Sequence, residues 1–273
     1  MALFSVLMSV YRNDKASDVY TAVESVSVKQ TVQPDDIYIY VDGPVPDDLS
    51  ETLKTLETRI SYVRVHWEAK NKGLGKALQY GINHVKHELI ARMDSDDIAS
   101  PYRFEKQLEL FDNDPELGMV GSCISEFIDD PANIVSQRIV PTSNEGIRNF
   151  MKKRCPFNHM TVMYKKTEVL KAGNYQDWYW NEDYYLWIRM MVAGCKFANL
   201  EESLVNVRVG KDMYARRGSF KYFKSEEGIQ RFMYKNHIIG LLQYCFNVFV
   251  RFVIQVCMPN SLRRWVFQKF ARK

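Results

Sequence analysis

An α/β fold, with a mostly parallel sheet held between helix layers, is predicted by three observations on this 273-residue chain. Short apolar runs alternate with segments of helical periodicity, the pattern of repeated strand–helix–strand units. Each early run is apolar nearly throughout, as expected of a buried strand. Turn residues and acids gather where the runs end, and sheets of this kind bind ligands outside the carboxyl ends of their strands.

Residues 4–10 read as the first strand, and Val19, Ala22, Val23 and Val26 fall on one face of the helix that follows. Residues 37–41 form a second strand ending at Asp42-Gly43-Pro44, then a helix over 47–57 and a strand over 60–66. A glycine-bearing loop, Asn71-Lys72-Gly73-Leu74-Gly75, leads into a helix over 77–85, and 88–93 is the fourth strand. Ser100 and Pro101 suit the N-cap and first position of the next helix. Further on, 118–122, 134–140 and 157–164 read as strands, and 145–153 and 181–192 as helices. An Arg-, Lys- and Gly-bearing stretch near 211–220 divides a domain over 1–215 from a helical tail over 216–273. The ends of strands one, two and four thus bring Tyr11, Asp42 and residues 94–97 to one crevice.

The formal net charge of +4 conceals an asymmetry: eight of the 37 basic residues follow Glu227, and no acid does. An acidic body with a basic tail argues against nucleic acid as a ligand, because a duplex reader spreads basic charge over its fold. It points instead to a tail that meets an anionic surface. The five cysteines are scattered without a Cys-x-x-Cys pair, which supports neither a disulfide framework nor a zinc site. No Asn-x-Ser/Thr acceptor occurs, and residues 2–10 lack a basic leader and a small-residue cleavage site, so the expected compartment is the cytosol.

Residues 238–258 are apolar enough to raise the question of a membrane span. Gln243, Asn247, Arg251 and Gln255 recur every fourth residue and gather into one polar stripe. A span would place Arg251 in hydrocarbon at a cost of about 2.5–3.5 kcal/mol. An amphipathic helix lying in the interface, or packed on the core, costs less. Residues 261–273 mix aromatic and basic side chains, the composition of a helix on an anionic membrane or of a docked helix with solvated charges.

The densest chemical signal is Asp94-Ser95-Asp96-Asp97 at the end of the fourth strand. These acids repel one another unless a hard divalent cation and a phosphate-bearing substrate neutralise them; a solvated acidic turn is the alternative. Five elements in order resemble the inverting family 2 glycosyltransferases of the GT-A fold. They are residues 5–11, Val41-Asp42-Gly43, the Asn71-Lys72-Gly73-Leu74-Gly75 loop, Asp94-Ser95-Asp96-Asp97, and Asn181-Glu182-Asp183. Residues 155–163 and 205–210 further resemble transferases that build bacterial surface polysaccharides, O-antigen and exopolysaccharide among them.

The resemblance implies a role for each of these groups. Asp42 would accept a hydrogen bond from the uracil imide of a UDP-sugar, although an Asx turn before Gly43 explains it from local sequence alone. Tyr11 would stack on the base, or is a boundary aromatic. Lys72 and Gly73 would approach the nucleotide, or form a plain turn. Asp94 would face the ribose and metal waters, Asp96 would bind Mn²⁺ or Mg²⁺ directly, and Asp97 would support them from behind or cap a helix. Some relatives place a metal-binding His shortly after the position of Arg208; Val209-Gly210 stand here, implying weaker metal affinity.

Asp183 is the implied general base, taking the acceptor hydroxyl proton on the face opposite the leaving group. Local sequence alone favours helix capping for it. Glu182 is the fallback, and His159 and Trp180 are candidates for the acceptor site, though both also suit structural packing. The function implied is transfer of a hexose from a nucleotide sugar to a lipid-linked oligosaccharide, by an enzyme peripheral on the inner membrane face. A sugar-nucleotide nucleotidyltransferase would need a Gly-rich, Arg-containing loop after strand one, where Tyr11-Arg12-Asn13-Asp14 stands. A membrane-recruited nucleotide-sugar-binding protein without turnover is the non-enzymatic alternative.

Overall fold

The computed structural model describes residues 2–210, 219–259 and 262–263. At its centre β1 (Phe4–Val10) pairs in parallel with β2 (Asp36–Val41) on one side and β4 (Leu89–Met93) on the other. β3 (Val63–Trp67) extends the sheet in parallel beyond β2. The crossovers are α1 (Ala16–Ser25), α2 (Asp47–Arg59) and α3 (Leu74–His84). Alternation along the strands separates two cores. Val6, Met8, Ile37 and Ile39 join Val19, Leu49 and Leu53 in one. Leu7, Tyr38 and Tyr40 join Leu78, Ile82 and Trp187 in the other. The register Val10↔Val41 and Met8↔Met93 brings three strand ends to one edge, with the reversal of strand order between β1 and β4.

Beyond β4 the sheet becomes mixed. β8 (Met163–Lys165) lies antiparallel between β4 and β6 (Leu117–Phe127). β9 (Lys196–Arg208) runs parallel to β6, and β5 (Ile98–Ala99) and β7 (Ile134–Arg138) pair antiparallel at the margins. Three local expectations are corrected here. Ser100 and Pro101 precede α4 (Arg103–Asn113) instead of opening it, because Ile98–Ala99 is held extended against β9. Residues 157–164 are not one strand: Asn158 and Thr161 bond the Ser122 backbone, turning 159–161 into a 3-10 turn ahead of the short β8. β9 is a strand in a segment where the local pattern announces none, since Glu201-Glu202-Ser203 interrupt its apolar run.

α5 (Asn144–Met151), α6 (Lys166–Lys171) and α7 (Glu182–Val192) pack on the far half of the sheet. The expected domain boundary at 215–216 lies outside the described residues. On its far side, α8 (Phe220–Lys235) starts at Ser219, whose hydroxyl accepts the Tyr222 N–H, and buries Ile229 and Met233 in the same core as Trp187. α9 (Leu241–Phe252) packs on α8, with Asn247 donating to Gln230. Among the described residues, no helix is long and apolar enough to cross a membrane.

Candidate active site

The end of β2 holds the first part of the site. The buried Asp42 carboxylate accepts the backbone N–H of Lys72 at 2.7 Å and of Gly73 at 2.9 Å. Asn71 Nδ2 donates to the Asp42 carbonyl, so a single residue fastens the whole 71–73 loop. The Lys72 ammonium is paired with Glu68, which also accepts from Tyr40; the two donors hold Glu68 down to about 2. Gly43 has φ +89°, and a Cβ there would stand 2.6 Å from the Asn71 nitrogen. Gly43→Ala is therefore expected to cost about 1–3 kcal/mol, read as a lowered urea midpoint, and to loosen nucleotide binding by displacing the loop.

The acid loop after β4 is tied to β1 through Asp14, a residue the sequence reading passed over. Its carboxylate accepts from the Tyr11 N–H and the Ser95 hydroxyl. The Tyr11 ring is left exposed above this turn. Asp94 ion-pairs with Arg92, which is buried in β4 at 2% exposure and whose Nε has no hydrogen-bond partner among the described residues. Asp96 is exposed as a residue, yet its carboxyl is crowded: partial loss of solvation there and the charges of Asp94 and Asp14 push its pKa up to about 6. Asp97 is buried; one oxygen accepts the Arg208 N–H, the other has no hydrogen-bond partner among the described residues, and burial raises its pKa well above the carboxylate range. The Arg208 guanidinium meets Asp18 and lies over the Phe127 ring.

This crowding fits a divalent cation. Asp94 and Asp96 are hard oxygen donors, and a cation beside them would relieve the repulsion that raises Asp96. Among the described residues no three His, Cys, Asp or Glu side chains converge into a protein-only cage. An ion here would complete its shell from phosphate and water, as Mg²⁺ commonly does.

Across from this edge opens a cleft of about 590 Å³. Asp183, at the first turn of α7, faces it together with His159 and Trp180. Its Oδ1 accepts the Tyr184 N–H at 2.7 Å. Burial raises its pKa, opposed by that bond and by the charges of Arg138 and Arg92. Glu182 sits beside Gly75 of the nucleotide-side loop, and burial and the Asp183 charge raise it to about 7. His159 shares a hydrogen bond with the Tyr175 hydroxyl, and burial holds it neutral. Trp180 adopts φ +55°, a left-handed conformation unfavourable for an indole residue, and stacks on Tyr179 with half its surface exposed. One buried cation links the halves: the Arg92 charge lowers Asp96 and Asp97 on one side and Glu182 and Asp183 on the other.

The profile described as Glycosyl transferase family 2 matches residues 5–173. The chain belongs to glycosyltransferase family 2. The amylovoran biosynthesis glycosyltransferase AmsE of Erwinia amylovora is 37% identical over 271 residues, spanning 98% of both chains. A UDP-Gal:alpha-D-GlcNAc-diphosphoundecaprenol beta-1,3-galactosyltransferase of Escherichia coli is 34% identical, covering 99% of this chain and 97% of its own. The mannosyltransferase PcManGT from Pyrobaculum calidifontis, solved with GDP-Man and Mn²⁺, superposes with TM-score 0.64 at 11% identity, over 96% of this chain and 72% of its own. The fold of this family 2 member is thus GT-A.

Within that fold, Tyr11, Asp42, Asp94 and Asp96 stand at adjoining strand ends, and Asp42 holds Lys72 and Gly73 beside them, with the Lys72 ammonium turned to Glu68. His159, Trp180 and Asp183 line the cleft, and Glu182 lies at the seam between the two. Sequence reasoning missed Asp14, which reaches back to the Tyr11 N–H and across to Ser95, and Arg92, a charge inside an otherwise apolar strand. It also missed that Arg251 of α9 reaches the cleft.

Proposed function

We propose that this glycosyltransferase moves a hexose from a UDP-sugar to a lipid-linked saccharide, with inversion, in the synthesis of a bacterial surface polysaccharide. The observation that carries the reading is Asp183, half-buried, opening onto a cleft and sharing the Arg92 cation with the acid loop. The names of the two relatives, one a UDP-galactose enzyme with a lipid diphosphate acceptor, support the choice of donor and acceptor.

The nucleotide would lie along the ends of β1, β2 and β4, with its base between Tyr11 and Asp42 and its diphosphate near the 72–73 loop. Asp94 and Asp96 would hold Mn²⁺ or Mg²⁺, which supplies positive charge to the departing diphosphate. The acceptor hydroxyl, seated in the cleft against Trp180, loses its proton to the Asp183 carboxylate. Its oxygen attacks the anomeric carbon from the opposite face as the bond to UDP breaks. A raised pKa makes Asp183 the stronger base, but only where it is ionised. Because that pKa lies above the ordinary aspartate value, the rate falls as pH drops through a point higher than a free carboxylate would set. Such an enzyme works as a peripheral protein on the inner membrane face.

Incubation with a panel of UDP-, GDP- and dTDP-hexoses and a short-chain lipid diphosphate saccharide tests this. Transfer is expected from a UDP-hexose alone, abolished by EDTA and restored by Mn²⁺, with the anomeric configuration inverted by NMR. Retained configuration, or sugar-nucleotide binding by calorimetry with no transfer to any acceptor, would overturn the reading.

A further inference from the structure

α9 is amphipathic the wrong way round for a helix in water. Its polar stripe faces the protein: Asn247 is buried and donates to the Lys152 carbonyl, and Gln255, just past the end of the helix, is buried too. Arg251 donates to the Lys153 carbonyl and pairs with Glu226 at 2.6 Å inside the cleft. Every exposed residue from 241 to 257 is apolar or cysteine. Leu242 is 88% exposed, Phe246 67% and Phe249 66%, one stripe at helical spacing. A contiguous apolar face of this kind marks an interaction surface.

Charge identifies its occupant. On the adjoining α8 the exposed charges are Lys221, Lys224, Arg231 and Lys235, while the acids Glu226 and Glu227 are buried in pairs with Arg251 and Arg231. No acid follows Glu227 in the sequence. An apolar stripe beside basic charge is the signature of a helix lying in an anionic lipid interface. Dispersed exposed apolar residues would need no partner, and a self-complementary dimer face would not call for one sign of charge.

We infer that α9 is the membrane-docking element, its Leu242–Phe246–Phe249 stripe seated among the acyl chains and its opposite, polar face forming a wall of the acceptor cleft. The cleft mouth is thereby held at the headgroup layer, where a lipid-anchored acceptor presents its sugar. This rests on the proposed lipid-linked acceptor and names the surface that reaches it.

Co-sedimentation with phosphatidylcholine vesicles, with and without phosphatidylglycerol, tests the inference on the full chain. The parent protein is expected to bind the anionic vesicles. A Leu242→Ser, Phe246→Ser, Phe249→Ser variant, whose changes remove only solvent-facing side chains, should lose on the order of tenfold or more of that binding. Its transfer to acceptor embedded in vesicles should fall in parallel, while transfer to the same acceptor in detergent is unchanged. Undiminished vesicle binding by the variant, or no binding by the parent, overturns the inference. So does a parent dimer in sedimentation equilibrium that the variant breaks, which would assign the stripe to a second copy. Vesicle binding lost through these substitutions in a protein inactive toward every acceptor would leave the docking surface standing and remove the enzymatic reading instead.

Discussion

Asp183→Asn is expected to lower kcat by on the order of 10²–10⁴, the usual worth of a positioned general base. The substitution should leave the fold intact, because an Asn carbonyl oxygen can still accept the Tyr184 N–H that holds Asp183 at 2.7 Å. UDP-sugar affinity by calorimetry should stay within about twofold of the parent, since the donor edge is a separate set of strand ends. A loss confined to KM would instead give Asp183 a binding role. Glu182→Gln separates the two neighbouring acids. Glu182 titrates at about 7, so a limb near neutral pH in kcat/KM that vanishes in this variant would transfer the base assignment to Glu182. If the acidic limb persists, the base is Asp183.

Asp96→Asn has the second large effect, and two opposite signs identify it. Turnover should fall at least about a hundredfold, and the gain in UDP-sugar affinity on adding Mn²⁺ should disappear while the weak affinity in EDTA is kept. Stability without metal should move the other way. Asp96 has a folded-state pKa raised to about 6 by lost solvation and the acids around it. A raised carboxylate destabilises the fold at any pH where it is ionised, and that penalty disappears as pH falls through the raised value. Asp96→Asn should therefore melt at or above the parent temperature at pH 7.5, with the difference narrowing below pH 6. A variant that is both inactive and less stable would mean that Asp96 serves the fold, not a cation.

The donor half of the molecule was legible in the sequence because its strands are continuous apolar runs and its ligand-side residues stand at their ends. Phe4–Val10 has the bounds expected of it, and Asp36–Val41 and Leu89–Met93 each differ by one residue. The far half was less legible because side chains override the local pattern. Asn158 and Thr161 reach the Ser122 backbone and break what reads as a strand. β9 keeps its pairing through register shifts around the Glu201-Glu202-Ser203 interruption that no periodicity announces. Arg92 was hidden by its apolar neighbours, and its use becomes visible only when Asp94 and Asp183 are both seen in its field. The polar stripe of residues 243–255 was read as a stripe, but only packing reveals which way it turns; the expectation for 261–273 falls, apart from residues 262–263, outside the described residues.

The match to the family ends at residue 173, ahead of Trp180, Asp183 and the two helices that close the cleft. The strands that face the donor and the cleft that carries Asp183 therefore stand on consecutive stretches of the chain. A lineage can redraw which glycan it extends by editing the cleft wall around Asp183, leaving that base and the pyrophosphate-handling strands untouched. Diversity of cell-coat polymers can accumulate this way without each new linkage requiring a new catalyst.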